Sequence, residues 1–323
     1  MNIKIGIFGG GSIARKVYLP LLASWPGVEI VGAYSRTSQT VEEICGIWHI
    51  QYGTTQVNAL IERGIQAAFV LTSQSSHYEI AQQLLTEGID VYVEKPATES
   101  SAQTQQMADL ARQYGRVFMV SFNRRYAPLN RQAKDIFKQR QVDLCIIEKH
   151  RPSAYHTSLF NNYLDDTIHQ IDLLCYYCSD PRPVHTSFQM KGEKLTGAAS
   201  IASLAGGGIG MVLTCLQAGA WQERVILHGD GLSVEVNAFR ELRIKTGDHE
   251  EVYGNDRPGR WFPELTERGF TGAIEHFLEC VRTRSEPETN GEEAVKSQLF
   301  MEKLVAIATP INTADSQNYL GGL

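Results

Sequence analysis

The chain has 323 residues, long for one hydrophobic core and comfortable for two domains. Its 30 Lys and Arg against 36 Asp and Glu give a formal charge of −6, so no global basic field exists to hold nucleic acid or an anionic membrane surface. No apolar run approaches the roughly 18 residues that span a bilayer, the N-terminus lacks a cleavage region, and the six cysteines show no framework spacing; a cytoplasmic protein with reduced thiols, mostly packed in cores, is expected.

From residue 1 to 121 strand and helix signals alternate, the pattern of a parallel sheet with helices on both faces. Strands are expected over 3–8, 29–34, 67–71, 89–93 and 117–120, with a weaker one near Ile50, and helices over 75–88 and 98–115. The first strand ends in Gly9-Gly10-Gly11-Ser12-Ile13-Ala14, which opens a helical stretch carrying Arg15, Val17, Tyr18 and Leu21. A GxGxxA turn lets the backbone approach a pyrophosphate and points the first helical amides at its charge, which makes Gly9, Gly11, Ser12, Ile13 and Ala14 candidate dinucleotide contacts. Glycine turns also recur without nucleotides, so the strand and helix context carries the weight. After the second strand, Ser35-Arg36-Thr37 offers a guanidinium, two hydroxyls and no carboxylate. A ribose 2′-hydroxyl favours a carboxylate and a 2′-phosphate favours an arginine fork, so NADP is expected ahead of NAD. In the competing reading Ser35 and Thr37 cap the next helix and Arg36 is solvated. The strand over 89–93 runs into Glu94-Lys95-Pro96, which puts a lysine at a strand's carboxyl end, where ligands of open α/β sheets collect.

After Phe122-Asn123-Arg124-Arg125-Tyr126-Ala127-Pro128 the texture changes. A helix over 129–140, a strand over 142–149 and a helix over 166–178 precede successive strands with hairpin turns at Gly206-Gly207-Gly208 and Gly229-Asp230-Gly231. Two helices, over 271–283 and 292–307, follow. The expected fold is α/β: an N-terminal Rossmann doubly wound parallel sheet (1–121) plus a C-terminal α+β domain (122–323) with a large, mostly antiparallel open sheet. Asp165, His169 and Asp172, spaced by four and three, would line one helix face beside Ile168, Ile171, Leu174 and Cys178. A carboxylate near an imidazole raises its basicity and orients its ring, as proton exchange with a hydroxyl requires; an exposed polar face without chemistry is the plainer alternative. Cys175 and Cys178 form a CxxC with no second pair, so no metal is expected. Lys149, His150 and Arg151 end the first strand of the second domain and Arg124 lies at the junction. They suit a substrate carboxylate or phosphate, or serve as internal salt-bridge partners. Trp221 and Trp261 suit either sugar stacking or a core.

Together these residues resemble the Gfo/Idh/MocA family of glucose–fructose oxidoreductase and inositol dehydrogenase, over essentially the whole chain. The resemblance lies in the GxGxxA turn, Thr72-Ser73-Gln74-Ser75-Ser76-His77, Glu94-Lys95-Pro96, Asn123-Arg124-Arg125 and the Asp165/His169 pair. The run from Phe122 to Pro128 and Leu164-Asp165-Asp166 are similar to its MviM-like branch. The resemblance implies hydride transfer between a nicotinamide cofactor and a sugar, polyol or related hydroxy or oxo compound. Lys95, Asp165 and His169 would be the catalytic set, Asp172 a neighbouring substrate contact, and Thr72, Ser73, Gln74, His77, Glu94, Lys95, Pro96 and Arg124 cofactor-side residues. Two departures stand out: Ser73 and Gln74 replace a usual proline and asparagine, and Asn161-Asn162-Tyr163-Leu164 replaces a glycine run. A family-related NAD-dependent glycosidase and a non-catalytic dinucleotide sensor remain as alternatives. A sheet face without helices implies a homodimer or homotetramer, and the partner expected is a small-molecule substrate, with no nucleic acid and no membrane.

Overall fold

The computed structural model describes residues 2–254 and 263–311, and the chain divides into two compact units. One comprises Met1–Tyr126 with Gly269–Lys296, the other Ala127–Arg268 with Ser297–Leu323.

The first unit opens with β1 (Ile3–Phe8), a π-helical turn (Ala14–Tyr18) running into α1 (Leu19–Leu22), β2 (Val28–Tyr34) and α2 (Ser38–Trp48). It continues through β3 (Gly53–Thr54), α3 (Val57–Ile61), β4 (Ala67–Val70), α4 (Gln74–Thr86), β5 (Asp90–Val93), α5 (Ser101–Gln113) and β6 (Phe118–Val120). All six strands are parallel, in the order β3-β2-β1-β4-β5-β6. This is the doubly wound order that reverses direction between β1 and β4, where the crevice outside the strand ends takes ligands. Every residue of β4 and β5 is buried, as helices on both faces require. The strand expected near Ile50 forms at the sheet edge over only two residues, and α5 starts at Ser101 because the Ser100 hydroxyl accepts the Gln103 N–H as its cap. The segment Gly269–Lys296 belongs to this unit for identifiable reasons. Phe277 packs edge-on against Phe69 and Tyr92, Arg284 grips Asp90 with two bonds of 2.8 and 2.7 Å, and the Thr289 hydroxyl donates to the Val120 carbonyl.

The second unit is built from α6 (Pro128–Phe137), β7 (Leu144–His150), α7 (Leu159–Asn162) and α8 (Ile168–Tyr177). Seven strands follow, β8 (Arg182–Lys191), β9 (Lys194–Ser203), β10 (Ile209–Cys215), β11 (Gln222–Gly229), β12 (Leu232–Asn237), β13 (Glu241–Thr246) and β14 (His249–Gly254), and then the short α9 (Glu264–Glu267). After α10 (Phe270–Thr283), which lies in the first unit, α11 (Gly291–Ala306) begins in the first unit and ends in the second, and β15 (Ala308–Pro310) closes the described chain. The nine strands run β14-β13-β12-β11-β7-β10-β9-β8-β15, and only β7–β10 and β8–β15 pair in parallel. Along β7 burial alternates: Cys145, Ile147 and Lys149 point inward, while Leu144, Ile146, Glu148 and His150 are less buried. Helix α8 covers the inner face so closely that a side-chain carbon at Gly210 would stand 2.9 Å from Leu174.

All six cysteines are free thiols, with Cys145, Cys178 and Cys280 buried and the others half-buried. No helix among the described residues is long and apolar enough to cross a membrane. Trp261 lies outside the described residues, and Trp221 packs near Phe239 with the Arg268 guanidinium 5.1 Å from its ring.

Candidate functional site

In the first unit, a cleft of about 420 Å³ lies outside the carboxyl ends of β1, β2 and β4. Its floor is the glycine turn. Gly9 has φ 114° and a side-chain carbon there would fall 2.5 Å from the Leu71 carbonyl oxygen, so only glycine fits. Gly11 is exposed with nothing within 4 Å of where a side chain would start, which leaves the backbone open to a ligand's close approach. Ser12 and Ile13 line the cleft, and Ala14 is buried at the start of the π-helical turn. On the opposite wall the Thr72 hydroxyl is buried and, among the described residues, has no hydrogen-bond partner. A backbone cradle plus an orphaned buried hydroxyl fits a dinucleotide's phosphates and ribose.

At the far end of the cleft, Ser35 and Arg36 line the wall. Arg36 is exposed and has no ion-pair partner among the described residues. The Thr37 hydroxyl accepts from the Thr40 N–H and caps α2, as the capping reading expects, and the exposure of Arg36 is compatible with either reading. Ser73 lines the cleft beside Ser76, whose hydroxyl donates to the Ser73 carbonyl, and Gln74 opens α4.

Two residues placed at the cofactor by sequence, His77 and Glu94, shape the loop that carries Lys95. His77 is buried and both ring nitrogens face backbone carbonyls, Nδ1 to Pro96 at 2.9 Å and Nε2 to Thr72 at 3.1 Å, so it struts Pro96 against the cleft wall. Burial holds its pKa below the usual histidine value, against the two carbonyls, which favour the imidazolium. Glu94 is turned inward: Oε1 accepts from the Tyr18 hydroxyl at 2.5 Å and the Ser121 hydroxyl at 3.0 Å, while Oε2 accepts the Lys95 N–H at 3.0 Å. The Tyr92 hydroxyl donates to Ser121. Burial first, and then the Glu94 charge, push both phenols above the usual tyrosine value. Arg124 is buried in a 3-10 turn and donates to Asn123 Oδ1.

In the second unit the helix carrying Asp165, His169 and Asp172 is not uniformly α. Asp165 sits on a π-helical turn (Tyr163–Thr167), whereas His169 and Asp172 lie on α8. The wider turn leaves the Asp165 side chain 49% exposed while His169 is buried. Asp172 is fully buried and accepts from the Ser297 hydroxyl at 2.8 Å, which ties α8 to α11. Of the two readings of Lys149 and Arg151, the internal salt bridge is the one found. Lys149 Nζ lies 2.6 Å from Asp166 Oδ1 and 3.7 Å from Glu223, and Arg151 forks onto Asp166 with bonds of 2.6 and 2.5 Å. Burial pushes the Asp166 carboxyl up, but the Arg151 bond and the Lys149 and Arg151 charges overcome it and hold the group well below the usual carboxylate range. His150 accepts the Cys215 N–H.

Sequence reasoning passed over Asp166, which looks like a duplicate of Asp165, and His156, whose Nε2 lies 3.6 Å from Asp165 Oδ2. No periodicity signals a loop histidine. It also passed over Gly10, Tyr34, Thr40 and Ser76 in the cleft, though the last was legible from the spacing of serines at the start of α4. Among the described residues no group of three or more His, Cys, Asp or Glu is placed to hold a metal ion.

Residues 3–122 match the family described as oxidoreductase family, NAD-binding Rossmann fold (GFO_IDH_MocA). The chain is 31% identical over 308 residues to a putative oxidoreductase, YceM, of Salmonella typhimurium, covering 94% of this chain and 97% of that protein. Among solved structures, a dehydrogenase (MviM) from Clostridium difficile superposes with a TM-score of 0.87 at 27% identity, covering 95% of this chain and 99% of the other. KijD10, a 3-ketoreductase from Actinomadura kijaniata solved with NADP, shares the fold with a TM-score of 0.80 at 19% identity, covering 96% and 99%.

Proposed function

The chain belongs to the Gfo/Idh/MocA family of NAD(P)-binding oxidoreductases, and from that premise we propose that it transfers hydride between NADP, in preference to NAD, and a sugar, polyol or related hydroxy or oxo compound. The bound nicotinamide supplies or takes the hydride. The protein's own part is binding and proton handling. The glycine turn and Thr72 hold the phosphates and ribose, and Arg36 takes the 2′-phosphate. Lys95, on a loop fixed through Glu94 and His77, donates to the reacting oxygen and stabilises its developing negative charge. His169 carries the proton to or from that oxygen, and Asp165 orients the hydroxyls.

The observation that carries this reading is the anchored Glu94-Lys95-Pro96 loop: a carboxylate with three protein donors, all spent on shaping the backbone that presents one lysine. Such investment of buried polar groups in one exposed-side residue suits a catalytic position. The second unit is proposed to bind substrate and to form the oligomer. KijD10's ketoreductase activity and NADP suggest the same class of chemistry here. A panel of sugars, polyols and their oxo forms, each with NADP(H) and NAD(H), tests it by absorbance of the reduced nicotinamide. Turnover with at least one polyhydroxy or oxo compound is expected; cofactor binding with no turnover across the panel would contradict the proposal.

A further inference from the structure

Arg15 and Glu43 play no part in the functions assigned above, yet the pair is bonded to Gly10, which lines the same cleft. Arg15 follows the glycine turn directly, and its Nε donates to the Gly10 carbonyl at 2.8 Å while Nη2 donates to Glu43 Oε2 at 2.7 Å. Glu43 lies on α2 and also accepts from Gln39 at 3.2 Å. The turn and α2 touch here: a side-chain carbon at Gly10 would stand 2.5 Å from Thr40 Cγ2. Gly10, Thr40, Ser35 and Arg36 line the end of the cleft where a ribose 2′ substituent is read. That end therefore carries one guanidinium in its lining, Arg36, without an ion-pair partner among the described residues, and a second, Arg15, neutralised by Glu43 and joined to the lining through the Gly10 carbonyl. The Arg15 bond, and next the Gln39 bond, hold the Glu43 carboxyl below its usual value, so it is ionised throughout the neutral range.

We propose that the Arg15–Glu43 pair sets how strongly this protein prefers NADP to NAD: a 2′-phosphate draws Arg15 from Glu43, and the Glu43 charge restrains the preference. The inference rests on the proposed role of Arg36. A 2′-phosphate carries close to two negative charges, is repelled by Glu43 and gains a second fork if Arg15 turns to it. A 2′-hydroxyl is neutral and responds to neither. The competing role, a clamp that only shapes the glycine turn through Gly10, would act on the pyrophosphate and so on both cofactors alike.

Calorimetric titration of the full-length protein with NADPH and NADH separates the two. Glu43→Gln leaves the Arg15–Gly10 bond in place; it is expected to tighten NADPH about fivefold and to change NADH by less than about twofold. Arg15→Met is expected to weaken NADPH about tenfold, the scale of one charge-assisted bond, with NADH little changed. Arg15→Lys, which keeps the charge and loses the fork, should fall between. Equal effects on the two cofactors, or no effect of Glu43→Gln, would overturn the proposal. Arg36→Ala is measured alongside: if it fails to alter selectivity while the Glu43 and Arg15 variants do, the Arg36 assignment fails and this one stands.

Discussion

The surroundings of Lys95 and Asp166 show how much buried polar chemistry supports a few charged side chains. Tyr18, fully buried, gives its hydroxyl to Glu94, which in turn fixes the Lys95 backbone. Tyr18→Phe is expected to cost about 1.5–3 kcal/mol, the range for a hydrogen bond to a charged group, read as a lower denaturation midpoint. Asp166 holds Lys149 and Arg151 together, and Asp166→Asn removes the carboxylate charge 2.6 Å from a buried ammonium, leaving it the Asp166 backbone carbonyl and Glu223 at 3.7 Å. The expected loss is about 3–5 kcal/mol. The pH dependence has a definite sign. A carboxyl whose folded pKa is depressed contributes stability that is complete above the unfolded value, about 3.9, and is lost as pH falls below it toward the folded value. Unfolding midpoints should therefore carry no Asp166 contribution to their slope from pH 6 to about pH 4 and fall more steeply below about pH 4 in the wild type than in Asp166→Asn; parallel curves below about pH 4 would refute the assignment.

Among the elements, those with local signals were legible and those set by tertiary contact were not. The glycine turn, the strand into Lys95 and the hairpins at Gly206–Gly208 and Gly229–Gly231 follow from turn chemistry and apolar runs, and they form where expected. The π-helical turns at Ala14–Tyr18 and Tyr163–Thr167 leave no mark in a pattern read at 3.6 residues per turn. Likewise, nothing local tells that Gly269–Lys296 returns to the N-terminal unit; the evidence is Arg284 on Asp90 and Phe277 among Phe69 and Tyr92, contacts close to 200 residues apart. Site residues were legible as motifs, but their roles were not: sequence cannot tell an inward Glu94 from an outward one. Two variants test the cleft's floor. Gly9→Ala must place its side chain against the Leu71 backbone at positive φ, and NADPH and NADH binding should both be lost or weakened by more than about tenfold in titrations. Thr37→Ala should remove the α2 cap at a cost of about 1 kcal/mol in melting and leave cofactor selectivity unchanged; a changed selectivity would return Thr37 to the cofactor.

For the whole molecule, the less buried face of the nine-stranded sheet poses the question of what covers it. Strand register sets Ile201, Met211, Ile146 and Ile226 side by side across β9, β10, β7 and β11, an apolar row on one face, with Leu213 and Leu144 in the adjoining rows. A row of that width suits burial against a second copy, and we propose a homodimer or homotetramer through this face. Met211→Asp with Ile146→Asp should yield monomers by light scattering, whereas an unchanged mass, or a monomeric wild type at dilute concentration, would refute it. The central claim concerns Lys95 and His169, and its most direct test is turnover and cofactor affinity measured together in Lys95→Ala and His169→Ala, on the best compound from the substrate panel. Each should lose about 10²-fold or more in kcat, the scale for a positioned acid–base group, while NADPH affinity stays within about threefold. Turnover within a few-fold of wild type in either variant would contradict the account.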